Sequence, residues 1–141
     1  MAVTNLAFSA KIEQFDKDAA KKMTAVARQS AQDVRNTMLF GPAMRVDTGF
    51  LRRSLLESTT AMPTIDPNAK PGSFAYEAPP TVSLVIAGWE LGKPLYMGFT
   101  AAYAAHREYG ANGQAPDAFV RTAAAQWQQI VNRNAAQVRK D

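Results

Sequence analysis

Side chains recur at three- and four-residue steps along the first part of the chain. Ile12, Phe15, Ala19, Met23, Val26 and Val34, with Ser30 among them, fall on one stripe. That period is helical and predicts an amphipathic helix from about residue 10 to about residue 37. Ser9 stands where a cap would start it. Asp16 and Asp18 come early and Arg35 late, partly in favourable register with the helix dipole. Gly41-Pro42 stops the run. Alanine is frequent on both faces, which favours helix and lets a partner approach closely. At 1.5 Å per residue such a helix is ~40 Å long, more than a small core needs, so part of it is expected to pack between subunits.

The pattern then changes. Asp47 or Thr48 is placed to cap a short second helix reaching Leu55 or Leu56, with Leu51 and Leu55 on one side and Arg52 and Arg53 outward. Residues 57–62 read as a strand. Pro63 to Pro80 holds five prolines and Gly72, and predicts an exposed excursion containing Ser73-Phe74-Ala75-Tyr76. Thr81 to Ala87 carries a strong strand signal, Leu95 to Thr100 another, with a turn at Gly92-Lys93-Pro94. From Asp117 or Ala118, the residues Phe119, Ala123, Trp127, Ile130, Asn134 and Val138 repeat at helical spacing almost to the end. The order predicts an α+β fold: a small antiparallel sheet covered by a long N-terminal helix and a C-terminal helix, with a short helix after residue 47.

The chain has 141 residues, enough for one domain spanning 1–141 with the Pro-rich insertion at about 63–80. It has no cysteine, which removes disulfides and thiolate chemistry together. Residues Met1 to Phe8 lack a basic leader and a long apolar core, so no signal peptide is expected. No apolar run is long enough to span a bilayer, and no membrane partner is expected. The net charge of +4 is unevenly spread: residues 1–60 carry +3, residues 61–120 carry −2 and residues 121–141 carry +3. A basic–acidic–basic layout would give an oligomer complementary faces, though taken alone a solvated surface is the plainer reading of it. Lys and Arg do not interleave densely with aromatics, which argues against sequence-specific nucleic-acid reading.

No enzyme is indicated. His106 is the only histidine, and no serine, threonine or aspartate is tied to it by an interpretable motif. It reads as a packing or hydrogen-bonding residue near a subunit joint. Glu77, Glu90, Glu108 and Asp117 lack the spacing of a hard-cation loop, so neither metal nor cofactor is expected. Asp47-Thr48-Gly49 lacks the lysine and the further glycines of a phosphate loop. A helix cap explains those three residues. Arg52 and Arg53 then remain for ion pairs across an interface or for a nucleic-acid conduit, or are simply solvated. Glu108 is placed to meet Arg52 or Arg53 of the same or a neighbouring copy. Tyr109 anchors a turn to which Gly110 and Gly113 give backbone freedom, and Pro116 precedes the terminal helix. Phe119 and Trp127 read as core, Trp89 as loop anchor or interface, and Phe74 and Tyr76 as contacts for a different protein.

Three segments together resemble a known family. Val46-Asp47-Thr48-Gly49-Phe50-Leu51-Arg52-Arg53-Ser54-Leu55 is similar to a signature of the HK97 gp10-like group of tailed-phage neck and tail-completion proteins, where it follows a long first helix. Tyr103 to Gly110 resembles the second signature, an aromatic–alanine segment ending in acidic–aromatic–glycine. Ala115-Pro116-Asp117-Ala118-Phe119-Val120-Arg121-Thr122-Ala123 resembles the third, a proline and phenylalanine opening the last helix. The order matches over roughly residues 10 to 138. The chain departs from the pattern at Asp117, between proline and phenylalanine, and at His106-Arg107, where small or aliphatic residues are common.

The resemblance implies a virion structural protein, made in the host bacterial cytoplasm, that forms a homo-oligomeric ring at the head–tail junction. A tail terminator would cap the tail tube, dock it to the head connector and leave a lumen for genome DNA without sequence-specific contacts. Six copies match tail symmetry and are favoured; twelve match the portal. The alternatives are a head-closure or other neck protein on the connector and, further off, a nonspecific DNA-binding accessory protein. Interface or lumen candidates are Arg52, Arg53, Glu108, Tyr109, Phe74, Tyr76 and Trp89. The motif residues are Asp47, Thr48, Gly49, Leu51, Ser54, Gly110, Pro116 and Phe119.

Overall fold

Residues Ala2–Phe40 contain no glycine or proline and form one uninterrupted helix, α1. At 39 residues it is roughly 58 Å long. The computed structural model describes residues 2–140, with side chains from residue 7 onward. Ser9 therefore lies inside α1 and caps nothing, because the alanines and leucine before it carry the helix further back. Gly41 follows: its N–H donates to the Thr37 carbonyl at 3.1 Å, and a Cβ there would sit 2.3 Å from that same oxygen.

The predicted stripe divides in two. From Ser30 onward α1 is core, with Ser30, Ala31, Val34, Met38 and Leu39 buried. Before it the same stripe stands in solvent: Phe8 is 65% exposed and Phe15 70%. The first half of α1 is thus an arm that leaves the body of the domain.

The short helix α2 covers Phe50–Arg53, and strand β1 covers Leu55–Ser58, so Leu55 and Leu56 belong to the sheet rather than the helix. The strand expected at 57–62 begins two residues earlier and ends at Ser58. Strand β2, Tyr96–Phe99, pairs with β1 antiparallel, setting Leu55 opposite Phe99 and Ser58 opposite Tyr96. Leu55, Phe99, Glu57 and Met97 share the face turned to the helices. Arg35 of α1 meets Glu57 there in an ion pair.

The segment expected to be a third strand is a single helical turn, α3, Leu84–Ala87. Ser83 and Ile86 are buried while Val82, Leu84 and Val85 are exposed, a three-residue spacing rather than alternation. The Ser83 hydroxyl caps the turn by accepting the Ile86 N–H. The Ser83 carbonyl accepts the Ala87 N–H within the turn, and a side chain holds the same residue from outside: the Gln32 amide donates to the Ser83 carbonyl and accepts the Ser83 N–H, both at 2.9 Å. Gln32 takes the place a neighbouring strand would have filled.

Helix α4, Ala104–Tyr109, leads through a turn to α5, Phe119–Ala125, and α6, Trp127–Lys140. The terminal helix expected as one piece is broken at Gln126, whose N–H reaches back to the Ala123 carbonyl at 3.0 Å. Phe119, Ala123 and Ile130 keep the core-facing line, and Phe119 packs edge-on against Phe99 with ring centroids 5.0 Å apart. Trp127 falls beside that line and is 42% exposed, so it is not the core residue its spacing suggested. The buried side chains of α1, α5, α6 and the inner sheet face make one core. No helix among the described residues is long and apolar enough to cross a membrane.

Candidate assembly site

The first motif segment, roughly fifty residues or more from the other two, meets them in space. Gly49 enters α2 with φ +87, and a Cβ on it would lie 2.9 Å from the Tyr76 carbonyl oxygen. Neither Asp47 nor Thr48 caps the helix end in the expected way. The Thr48 hydroxyl instead accepts the Phe50 N–H at 3.2 Å, closing a local turn, while its carbonyl accepts the Tyr76 N–H at 2.7 Å. Asp47 is exposed. Leu51 enters the core, and the Ser54 hydroxyl donates to its carbonyl at 2.7 Å. The Ser54 carbonyl accepts both the N–H and the hydroxyl of Thr100, fastening the first motif to the end of β2.

Phe50 links this motif to the second motif and to the proline-rich excursion. Its ring lies 5.2 Å from Tyr76 and 6.3 Å from Tyr103. Tyr76, expected to meet a different protein, is thus half-buried as an internal anchor, and its hydroxyl accepts the Gly72 N–H. Phe74 stacks on it at 4.6 Å and stays exposed. The excursion at 63–80 is held at further points, by Asp66 N–H on the Thr100 carbonyl and Ala102 N–H on the Ala69 carbonyl.

Glu108 does not meet Arg52 or Arg53. Its buried carboxylate accepts the backbone N–H groups of Val120 and Arg121, each at 3.0 Å, and pairs with the Arg121 guanidinium at 3.2 Å. Residue 118, where a capping side chain would stand, is an alanine at φ +52. Glu108 supplies that cap from another helix. Tyr109 is 67% exposed, with the Arg121 guanidinium 4.9 Å above its ring, so it does not anchor the turn. Gly110 does: at φ +85, its Cα sits where a Cβ would clash with the Gln114 carbonyl at 2.8 Å and crowd Pro116.

The two places where the chain departs from the resembled pattern touch each other. Asp117 is buried between Arg107, at 3.3 Å, and Arg45, which it meets through both side chain and backbone N–H. Sequence reasoning missed this cluster, together with Gln32 and the Arg35–Glu57 pair. For Gln32 and Arg35 the available signal was a polar side chain inside an otherwise core-facing helical turn; for Asp117 and Arg107 it was their departure from the resembled pattern.

Arg52 lies over the Phe40 ring at 5.4 Å, and Arg53 is exposed. A hollow of about 190 Å³ opens beside the hub, lined by Arg45, Asp47, Thr48, Arg52, Tyr103 and Arg107. Burial pushes the Tyr103 phenol above its usual range, with Arg107 opposing. His106 is exposed on α4, and among the described residues no three of the carboxylate and imidazole side chains group as metal ligands would. Trp89 is half-buried as a loop anchor: its indole donates to the Lys93 carbonyl at 2.8 Å, and its own carbonyl accepts Arg28 Nε at 2.6 Å.

The surface that stays open lies elsewhere. Besides the arm of α1, an apolar groove of about 440 Å³ runs between α1 and α6, lined chiefly by Met23, Val26, Leu91, Trp127, Val131 and Val138. Compared with protein-family models, curated proteins and solved structures, the chain matches none.

Proposed function

We propose that this chain is a structural protein of a tailed-bacteriophage virion that assembles with copies of itself into a ring at the head–tail junction. In this reading it is the tail terminator: it caps the tail tube and docks it to the head connector around an open channel for DNA. Six copies form the ring, and the exposed stretches at 63–80 and 88–94 face the neighbouring rings. The mechanism is assembly with no reaction turned over.

The observation that carries the reading is the arm of α1. A helix whose second half is buried leaves Phe8, Ile12, Phe15 and Met23 exposed along its first half. A contiguous apolar stripe of this kind marks an association surface. The resemblance of three ordered segments to tailed-phage neck proteins supplies the place. The convergence of those segments on one hub agrees with a structural role for them, since their polar groups are spent on caps and ion pairs within the chain. The test is a reconstruction of the neck in an intact particle, with the composition of purified virions determined alongside. The expected result is six-fold density between connector and tube that this chain fits. Virions lacking the chain would overturn the reading.

A further inference from the structure

Among the described residues, two of the open apolar surfaces lie along α1, and they differ in shape. One is convex: Phe8, Ile12 and Phe15 project from the arm of α1. The other is the groove between α1 and α6, with Trp127 and Val131 on one side and Met23 and Val26 on the other. The arm cannot fill its own groove. Both belong to the same uninterrupted helix, and Phe8 lies roughly 22 Å along the axis from Met23 at 1.5 Å per residue. Folding the arm back would require breaking α1 in a stretch without glycine or proline.

Charge favours the same match. Helical spacing sets Asp16 and, further round, Glu13 on one side of the arm's stripe, and Lys11 and Lys22 with Asp18 on the other. The groove has Lys22 and Arg139 at its mouth. Among the described residues, neither of these cations and neither of the carboxylates Glu13 and Asp16 has an ion-pair partner. The acidic side of the apolar arm thus complements, in another molecule, the basic mouth of the apolar groove.

We infer that the arm of one copy, residues Phe8 to Phe15, lies in the α1–α6 groove of the next copy. Such a contact is heterologous, one surface meeting a different one, so repeating it generates a closed ring when the rotation closes. Pairing of arm on arm would stop at two copies and leave the groove empty. The inference rests on the assembly reading above and adds which two surfaces meet.

The chain has no cysteine, so introduced ones report contact without background. Two full-length variants are made, Ile12→Cys in the arm and Ala135→Cys on α6 in the groove, and exposed to mild oxidant singly and mixed. The expected result is a disulfide-linked dimer from the mixture and none from either alone. With both substitutions on one chain, a ladder of linked copies forms. Arg139→Glu combined with Lys22→Glu weakens cross-linking by about tenfold or more, corresponding to loss of desolvated charge pairs, and Asp16→Lys added to it restores part. A melting curve for each variant confirms that it folds. Cross-linking of Ile12→Cys with itself and not with Ala135→Cys would establish arm-on-arm pairing and overturn the inference. Self-association without the mixed cross-link would overturn it too, while leaving the assembly reading intact. Folded variants that stay monomeric and unlinked at every concentration also overturn it, and the neck reconstruction then decides the assembly reading separately.

Discussion

Glu108 stands 12 residues before Val120, yet its carboxylate accepts the Val120 N–H at 3.0 Å and does for α5 what an N-terminal capping residue does elsewhere. The second oxygen takes the Arg121 N–H. Orphan amides at a helix start need an acceptor, and Ala118 has none to offer. The acidic residue of the second motif therefore locks the third motif in place. Glu108→Ala should lower unfolding stability by about 2–3 kcal/mol, from lost charge-assisted hydrogen bonds at a buried helix end. Glu108→Gln keeps one acceptor oxygen and should cost about 1 kcal/mol. Denaturant midpoints at unchanged slope measure both. Equal loss for the two substitutions would show that charge, and not capping, is what matters.

Asp117 and Arg107 test a different coupling. Asp117 has a nearly inaccessible side chain held by Arg107 and Arg45. Asp117→Asn leaves two guanidinium groups without a counter-charge, and Arg107→Gln leaves the carboxylate half-matched. Partners in one network do not add, so the double substitution should be less destabilising than the sum of the singles by about 1–2 kcal/mol. Additive losses would mean that each residue acts through separate contacts.

Gln32 holds α3 by exchanging two hydrogen bonds with the backbone of Ser83. Gln32→Leu has nearly the same size but leaves the buried Ser83 N–H without a partner, while the Ser83 carbonyl keeps only the Ala87 N–H, at a cost of about 1–3 kcal/mol. Amide hydrogen exchange at Ile86 and Ala87 should quicken in the variant while that of Leu39 keeps pace with global unfolding. Unchanged exchange at Ile86 would show that Ser83 alone fixes the turn.

These contacts mark where the sequence stops being readable. The long helix, its stop at Gly41, the strand at 95–100 and the core role of Phe119 follow from local period and turn chemistry, which act over a few residues. The pairing of β2 with β1, by contrast, joins residues roughly 40 apart. The segment 81–87 was read as strand because Val82, Leu84, Val85 and Ile86 have strand propensity. What overrides that propensity is Gln32, 51 residues away. Glu108 was matched to the wrong arginines for the same reason. Several arginines were available by charge, and only the packed fold puts Arg121 within reach. Trp127 fits a helical stripe on paper, and one tightened turn at Gln126 turns it out of the core. The candidate site was legible in part. The stripe on α1 was visible, whereas its division into a buried and an open half depends on how far the rest of the chain extends along the helix.

Tyr103 gives a pH dependence. Burial raises its phenol pKa above the ordinary value near 10, with the Arg107 charge working against the rise. A group with a raised folded pKa contributes stability that is fully present below its unfolded pKa and is lost as pH climbs through the folded one. Stability should therefore hold below about pH 10 on this account and fall above it. Tyr103→Phe should flatten that alkaline fall, because Phe keeps the packing against Phe50 and cannot ionise. An alkaline limb unchanged in Tyr103→Phe would assign the loss to other groups.

The arm of α1 and the buried core should respond oppositely to loss of a phenylalanine, and this separates an association surface from a structural one. Phe8→Ser and Phe15→Ser remove large apolar side chains that are 65% and 70% exposed in the single chain, so little burial is lost on folding. Their effect on unfolding of the monomer should stay within about 0.5 kcal/mol. Phe119→Ala, on the other hand, empties a site that is 1% exposed and should cost about 3–5 kcal/mol through lost transfer energy and a residual cavity. The comparison is made in dilute solution, where assembly does not add to stability by mass action. Raising the protein concentration should then widen the gap between wild type and the two arm variants, because only wild type gains from a partner. A gap that stays constant with concentration would mean that these phenylalanines meet no second molecule.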